Sequence, residues 1–300
     1  MKKVKQHTLS QCKPASEGLK NNCKIEIISN SEELNKFFDE YAKSKIQWIF
    51  RGEGMYSHPL KTSLERVIER LGKDMKEATD LEKCLETSFE KCFEKKLIKE
   101  FKRKCNLYIK NPPEEDRFVE WIALMQHYGA PTRFLDCTYS FFIALYFALE
   151  KLEKDEEYCS VWAIDSEWLS KNFTSSLKEI EIKKLHWDLA EREKIFKKNI
   201  FYQSNKQVYV INPSRLNGRL IIQQGVFLCP GDLSKTFVEN LEGNLSQSDF
   251  EDKIIRYCIP YKLRNETLNK LNRMNINAAS LFPGLDGFAK SLAILPKFPI

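Results

Sequence analysis

The longest apolar stretch in this sequence, Phe141 to Leu149, is about half the ~20 residues that a helix needs to cross a bilayer. The chain must therefore bury this stretch in a core of its own. The means are there. Three hundred residues (35.3 kDa) with 42% hydrophobic and 12% aromatic side chains exclude a disordered or fibrous polypeptide. A chain of that length hides about three quarters of its unfolded surface and needs no disulfide or metal staple.

Charge and cysteine usage narrow the setting. Lys+Arg 48 against Asp+Glu 42 gives +6, an excess that permits a polyanionic partner without requiring one. Nine cysteines at positions 12, 23, 84, 92, 105, 137, 159, 229 and 258 form no Cys-x-x-Cys pair. This predicts reduced thiols used as small apolar side chains. Met1-Lys2-Lys3 leads into no apolar run, so a secretory leader is not expected. Together these features predict a soluble, cytoplasmic protein.

Residues 1–22 are polar, basic and aperiodic and read as a loose arm. A short strand is expected at Ile25–Ile28, then a helix capped from Ser29-Asn30-Ser31 and carrying Leu34, Phe37, Phe38 and Tyr41. Gln47 to Gly52 reads as a strand. From Met75 to Tyr108, Leu81, Leu85, Phe89, Phe93, Leu97, Phe101 and Cys105 recur every fourth residue. Such a stripe drifts about 40° per step around a helix, which predicts a break, a curve or several packing partners. Further helices are expected at Phe118–His127, Phe141–Leu149, within 166–206 and at Thr267–Met274. Strands are expected at Cys159–Ile164, Gln207–Asn212, Leu220–Leu228 and Ile254–Pro260. Helices early and strands late favour an α+β fold.

Standard catalytic signatures are missing. There is no Walker loop, Rossmann glycine triplet, Gly-x-Ser-x-Gly or His-Glu-x-x-His, and the four histidines have unrelated spacings, so no metal site is expected. Three segments break ordinary local rules. Phe50-Arg51-Gly52 ends an apolar strand on an arginine, which could face a phosphate or carboxylate or simply sit in an edge-strand ion pair. Gln126 to Ser140 packs His127, Tyr128, Gly129, Pro131, Arg133, Asp136, Thr138 and Ser140 between two apolar helices. Free N–H groups at the second helix would favour an anion, whereas a well-capped helix with an Arg133–Asp136 pair explains the same residues. Arg219 to Phe227 puts Gln223 and Gln224 inside an apolar run, where amides must find hydrogen-bond partners or a ligand.

Taken in order, Phe50-Arg51-Gly52, Gln126–Ser140 with the helix after it, Gln224-Gly225-x-Phe227 and Leu281–Gly287 resemble the FRG domain, a family named for its Phe-Arg-Gly motif. The resemblance runs over about residues 25 to 295, giving an arm at 1–22 and an FRG domain at 23–300 with a helical insertion at 75–110. Cys137 stands where the family usually has an aromatic residue. A weaker similarity links the layout to the ADP-ribosyltransferase fold. It implies a split mixed or antiparallel sheet with added helices, and NAD as co-substrate. In that likeness Arg51 would pair with the NAD diphosphate. Thr138 and Ser140 would hold the nicotinamide ribose, and Gln223 or Gln224 would orient the ribose. Phe50, Gly52, Gln126, His127, Tyr128, Arg133 and Asp136 would line the binding site. Many such transferases carry glutamate at the third position, so here Glu53, Asp136 or Asp286 would supply the acid, or the choice of acceptor would make it dispensable, or the cleft would bind a nucleotide or nucleic acid without turnover. The expected activity is transfer of ADP-ribose to nucleic acid or protein, in the manner of a toxin or phage-defence effector. A phosphodiesterase built on His127, Arg133 and Asp136 is the third reading.

Overall fold

The computed structural model describes residues 23–78, 88–152, 158–175, 189–214, 218–244 and 253–292. Leu81, Leu85 and the 1–22 arm lie outside the described residues. The fold is α+β, a mixed sheet of seven strands covered by helices. The strands are β1 (Lys24–Ile27), β2 (Trp48–Glu53), β3 (Leu135–Thr138), β4 (Tyr158–Asp165), β5 (Val208–Ile211), β6 (Gly225–Pro230) and β7 (Ile254–Pro260), in the order β1-β7-β4-β2-β3-β6-β5. Among the described strands only β1 and β7 run parallel. All other neighbours are antiparallel.

The join between β2 and β3 is the feature that matters for function. β2 pairs with β4 along its whole length, and β3 pairs with β6 along its whole length. β2 and β3 meet only at Phe50 and Thr138. The sheet is thus two well-laddered halves, β1-β7-β4-β2 and β3-β6-β5, held at one register pair. Strands that part leave backbone groups without ladder partners, and something else must satisfy them.

The first helix follows the expected capping chemistry. α1 (Ser31–Lys43) starts at Asn30, whose side chain accepts from the Glu33 N–H at 2.9 Å. α2 (Ser63–Ala78) and α3 (Phe89–Cys105) occupy the long charged segment, with the stretch between them outside the described residues. α3 buries Lys91, Cys92, Glu94, Ile98 and Cys105, a face that includes two charges instead of the phenylalanine stripe. α4 (Phe118–His127) ends at Gly129, whose φ of 78° and N–H to the Gln126 carbonyl terminate the helix.

α5 (Phe141–Glu150) is the apolar helix, and seven of its residues are buried. It lies against β2 so closely that a Cβ on Gly52 would sit 2.0 Å from the Ala144 carbonyl oxygen and 2.7 Å from the Ala148 nitrogen. The remaining elements are α6 (Ser166–Ser175), α7 (Leu189–Phe196) running into a π-helical turn at Lys197–Tyr202, α8 (Gly218–Ile222), α9 (Phe237–Glu242), α10 (Arg264–Arg273), α11 (Ala278–Leu281) and α12 (Leu285–Ser291).

Two sequence expectations change here. The run Leu220–Leu228 is not one strand: α8 takes its first part, and Gln224 turns the chain with φ 46° before β6 begins at Gly225. Leu220 packs back on Gly225, where a Cβ would meet its Cδ1 at 2.3 Å. Cys92 is disulfide-bonded, whereas Cys23, Cys105, Cys137, Cys159, Cys229 and Cys258 are free, so among the described cysteines reduced thiols hold for these six and not for Cys92. Among the described residues no helix is long and apolar enough to cross a membrane.

Candidate functional site

Where the two half-sheets part, a cavity of about 1030 Å³ opens. β2 supplies Phe50, Arg51 and Gly52, β3 supplies Asp136, Cys137 and Thr138, and Gln223 and Phe282 reach in from later in the chain. Volumes of 300 to about 1000 Å³ are usual for small-molecule and cofactor sites, so a dinucleotide has room here.

Arg51 is fixed by the splayed join. Strand alternation puts Arg51 and Glu53 on one face of β2, while Phe50 turns the other way into the core with Tyr41 and Phe141. Arg51 Nε donates to Glu53 Oε1 at 2.6 Å, and Nη1 donates to the Asp136 carbonyl at 2.6 Å. The guanidinium therefore bridges β2 to β3 and satisfies a carbonyl beside the splay. Burial acts against its charge, but Glu53, Cys137 and Asp136 outweigh that and hold its pKa above the ordinary value. Two of its five N–H groups are used in these bonds, which leaves three for a ligand. Glu53 is buried in this pair and does not line the cavity.

Thr138 pins the end of β3. Its hydroxyl donates to the Gln223 carbonyl at 2.7 Å and accepts from the Ser140 N–H at 3.0 Å. Ser140 in turn caps α5, accepting from the Ile143 N–H at 3.4 Å. Gln223 Nε2 donates to the Leu281 carbonyl at 2.9 Å, tying α8 to α11. The Gln223 amide is thus a bracket for the cavity wall.

The cavity is rich in positive charge. Arg51, Arg66, Lys151, Arg219 and Lys290 line it, against the carboxylates of Asp136, Glu150 and Asp286. Arg219 and Lys290 each lie 4.8 Å from the centre of the Phe282 ring. Burial, and then the Arg219 charge, pull the His127 pKa below the ordinary imidazole value, so at neutral pH it faces the cavity uncharged. Its ring and that of Tyr128 meet edge to face at 4.9 Å, and Tyr128 is largely exposed. Gln126 Nε2 donates to Asp136 Oδ2 at 2.6 Å, leaving the other carboxylate oxygen open.

Of the residues marked out in the sequence, Phe50, Arg51, Gly52, His127, Tyr128, Asp136, Thr138 and Gln223 converge on the cavity. Gln126 acts one step back, through Asp136, and Ser140 through the helix cap. Gln224 is exposed in its turn and outside the lining; its carbonyl accepts from the Tyr139 N–H at 2.9 Å. Arg133 is placed elsewhere. It is fully buried, pairs with Glu94 through Nε (2.7 Å) and Nη2, and stacks 4.4 Å from the Phe201 ring. The expected Arg133–Asp136 pair does not form: Arg133 lies in a bend ahead of β3, where its guanidinium is bound by Glu94 in the interior, while Asp136, on β3, is exposed and takes Gln126. Arg66, Lys151 and Lys290 line the cavity without having stood out in the sequence, since each resembles an ordinary surface side chain until the chain folds, whereas Phe282 and Asp286 come from the Leu281–Gly287 segment. Among the described residues no cluster of His, Cys, Asp and Glu could hold a metal ion.

The family model of the FRG domain matches residues 46–157. No curated protein and no solved structure matches the chain. The match takes in Phe50-Arg51-Gly52 and Gln126–Ser140. The Gln224–Phe227 and Leu281–Gly287 segments lie beyond it, although Gln223 and Phe282 line the same cavity.

Proposed function

We propose that the FRG-domain segment and the strands after it form an NAD-dependent ADP-ribosyltransferase. One observation carries this reading: a guanidinium held by Glu53 and the Asp136 carbonyl opens into a dinucleotide-sized cavity with a cationic excess. A pre-positioned guanidinium can bind a diphosphate through two parallel N–H donors at little entropic cost. Arg66, Arg219, Lys151 and Lys290 make no hydrogen bond or ion pair through their side chains among the described residues, and so add to the pull on an anion.

In the reaction the glycosidic bond of NAD breaks, and nicotinamide leaves with the bonding pair. The anomeric carbon then bonds to an acceptor oxygen or nitrogen, which gives up its proton. Charge grows on the ribose as the bond breaks, and a carboxylate stabilises it. Asp136, with one oxygen open to the cavity, is the group for that role, and the uncharged His127 ring, which lines the same cavity, can accept the acceptor's proton. An alternative is nucleotide binding without turnover. It is favoured by the amide of Gln223 at the position where many such transferases carry glutamate, since an amide cannot stabilise positive charge as a carboxylate does.

The experiment is nicotinamide release from NAD, with NAD binding measured by calorimetry on the same samples. Arg51→Ala is expected to weaken binding by about 2 kcal/mol, roughly thirtyfold, as loss of a charge-assisted pair does. Asp136→Asn is expected to lower release about a hundredfold while leaving binding within a few fold. Binding without release in the unsubstituted protein would select the non-catalytic alternative, and no binding at all would end both readings.

A further inference from the structure

A second cavity, of about 530 Å³, shares no lining residue with the first. It lies between α3, the start of α4 and the π-helical turn, and is lined by Lys91, Lys95, Lys102, Arg133 and Lys197 together with three carboxylates and three aromatic rings. Its charges sort by pairing. Glu94 is used by Arg133, and Glu115 by Lys102 at 2.9 Å. The ammonium groups of Lys91, Lys95 and Lys197 then face a single remaining carboxylate, Asp116.

Lys91 is the telling residue. It is 5% exposed, and its ammonium donates to the Ser204 hydroxyl at 2.7 Å and the Gln203 carbonyl at 3.2 Å, both neutral oxygens. An ammonium has three N–H donors, so one stays available. Burial, with the nearby Arg133 and Lys95 charges, lowers its pKa despite Asp232 and Glu94, as a site short of negative charge would do. Alongside lies an aromatic platform. Phe118 and Phe201 pack edge to face at 4.2 Å, and Tyr202 projects beyond them, 64% exposed. Lys197 sits 5.8 Å from the Phe118 ring and 6.0 Å from the Tyr202 ring.

Cations without carboxylate partners beside an exposed ring are what a single nucleic-acid strand needs, phosphates on the ammonium groups and a base on the ring. We propose that this cleft binds single-stranded nucleic acid, with its phosphates on Lys91, Lys95 and Lys197 and one base stacked on Tyr202. The site does not depend on what the first cavity binds.

The test is fluorescence anisotropy of a short labelled single-stranded RNA against the full chain at several salt concentrations. Lys95→Glu combined with Lys197→Glu is expected to weaken binding about tenfold or more and to flatten the log–log salt slope by about 1.4, two contacts at roughly 0.7 each. Tyr202→Ala is expected to cost about fivefold or more. Lys95 is exposed and Lys197 half-buried, and neither makes a hydrogen bond or ion pair through its side chain among the described residues, so the substitutions spare the fold. Unchanged affinity in both variants would overturn the assignment. So would AMP binding as tightly as the strand, which would make the cleft a mononucleotide site. Arg51→Ala separates the two cavities: it is expected to leave RNA binding intact, and a loss there would move the strand to the first cavity.

Discussion

At the scale of single residues, the two arginines marked out by the sequence have opposite fates. Arg51 is bridged between strands but keeps donors for a ligand, whereas Arg133 spends its charge on Glu94 inside the fold. Local sequence could not separate them, because each stands beside aromatic and small residues at a strand end. The difference comes from Glu94, 39 positions away on α3, which has no signature among the many carboxylates of that charged segment. A buried pair of this kind is costly to break and cheap to replace whole. Glu94→Gln is therefore expected to lower stability by about 3 to 5 kcal/mol, since it strands a buried guanidinium. Joint replacement by Glu94→Leu and Arg133→Met is expected to recover most of that loss. Urea denaturation of the three proteins measures it, and a double variant no better than the single one would refute the account.

At the scale of elements, what was legible had a local cause. The helix after Ser140, the cap at Asn30, the stop at Gly129 and the strands β1, β2, β4 and β7 all follow from caps, turn residues and apolar periodicity. The misread run Arg219–Phe227 shows the limit. Its apolar residues favour strand, but the first half is a helical turn in which Leu220 packs back on Gly225 and Gln223 is tied to the distant Leu281 carbonyl, a tertiary contact that local sequence does not show. Gln224 consequently leaves the cavity and Gln223 enters it. The Phe-Arg-Gly motif has a physical reason at each position: Phe50 enters the core, Arg51 crosses the splay and Gly52 lets α5 touch β2. Gly52→Ala forces a Cβ into helix backbone, which cannot yield as a side-chain tip could. Overpacking of this sort costs about 1–3 kcal/mol, occasionally more. The expected outcome is a loss at the upper end of that range in urea denaturation, together with weaker ligand binding as β2 and Arg51 shift. A wild-type midpoint would show that the close approach is not needed.

At the scale of the whole molecule, the site belongs to no contiguous segment. The cavity draws on β2, β3, α4 and α5 within residues 46–157, but also on Arg219, Gln223, Phe282, Pro283, Asp286 and Lys290. Sheet pairing makes the same point more strongly. Within the matched segment β2 and β3 touch at one register pair, and their long partners, β4 and β6, begin at Tyr158 and Gly225. α5 faces a related problem, since the apolar surface that β4 and β7 cover through Val161, Ala163, Tyr257 and Ile259 would lie open to water. Each large apolar side chain left exposed forfeits about 1.5–3 kcal/mol, and several such losses exceed the few kcal/mol by which a domain is stable. A polypeptide of residues 46–157 alone is therefore expected to show helical circular dichroism without a cooperative thermal transition. Adding a separately made polypeptide of residues 158–300 is expected to restore the transition through the β2–β4 and β3–β6 ladders. A sharp transition in residues 46–157 by themselves would mean that the two half-sheets are not the folding units that open the cavity.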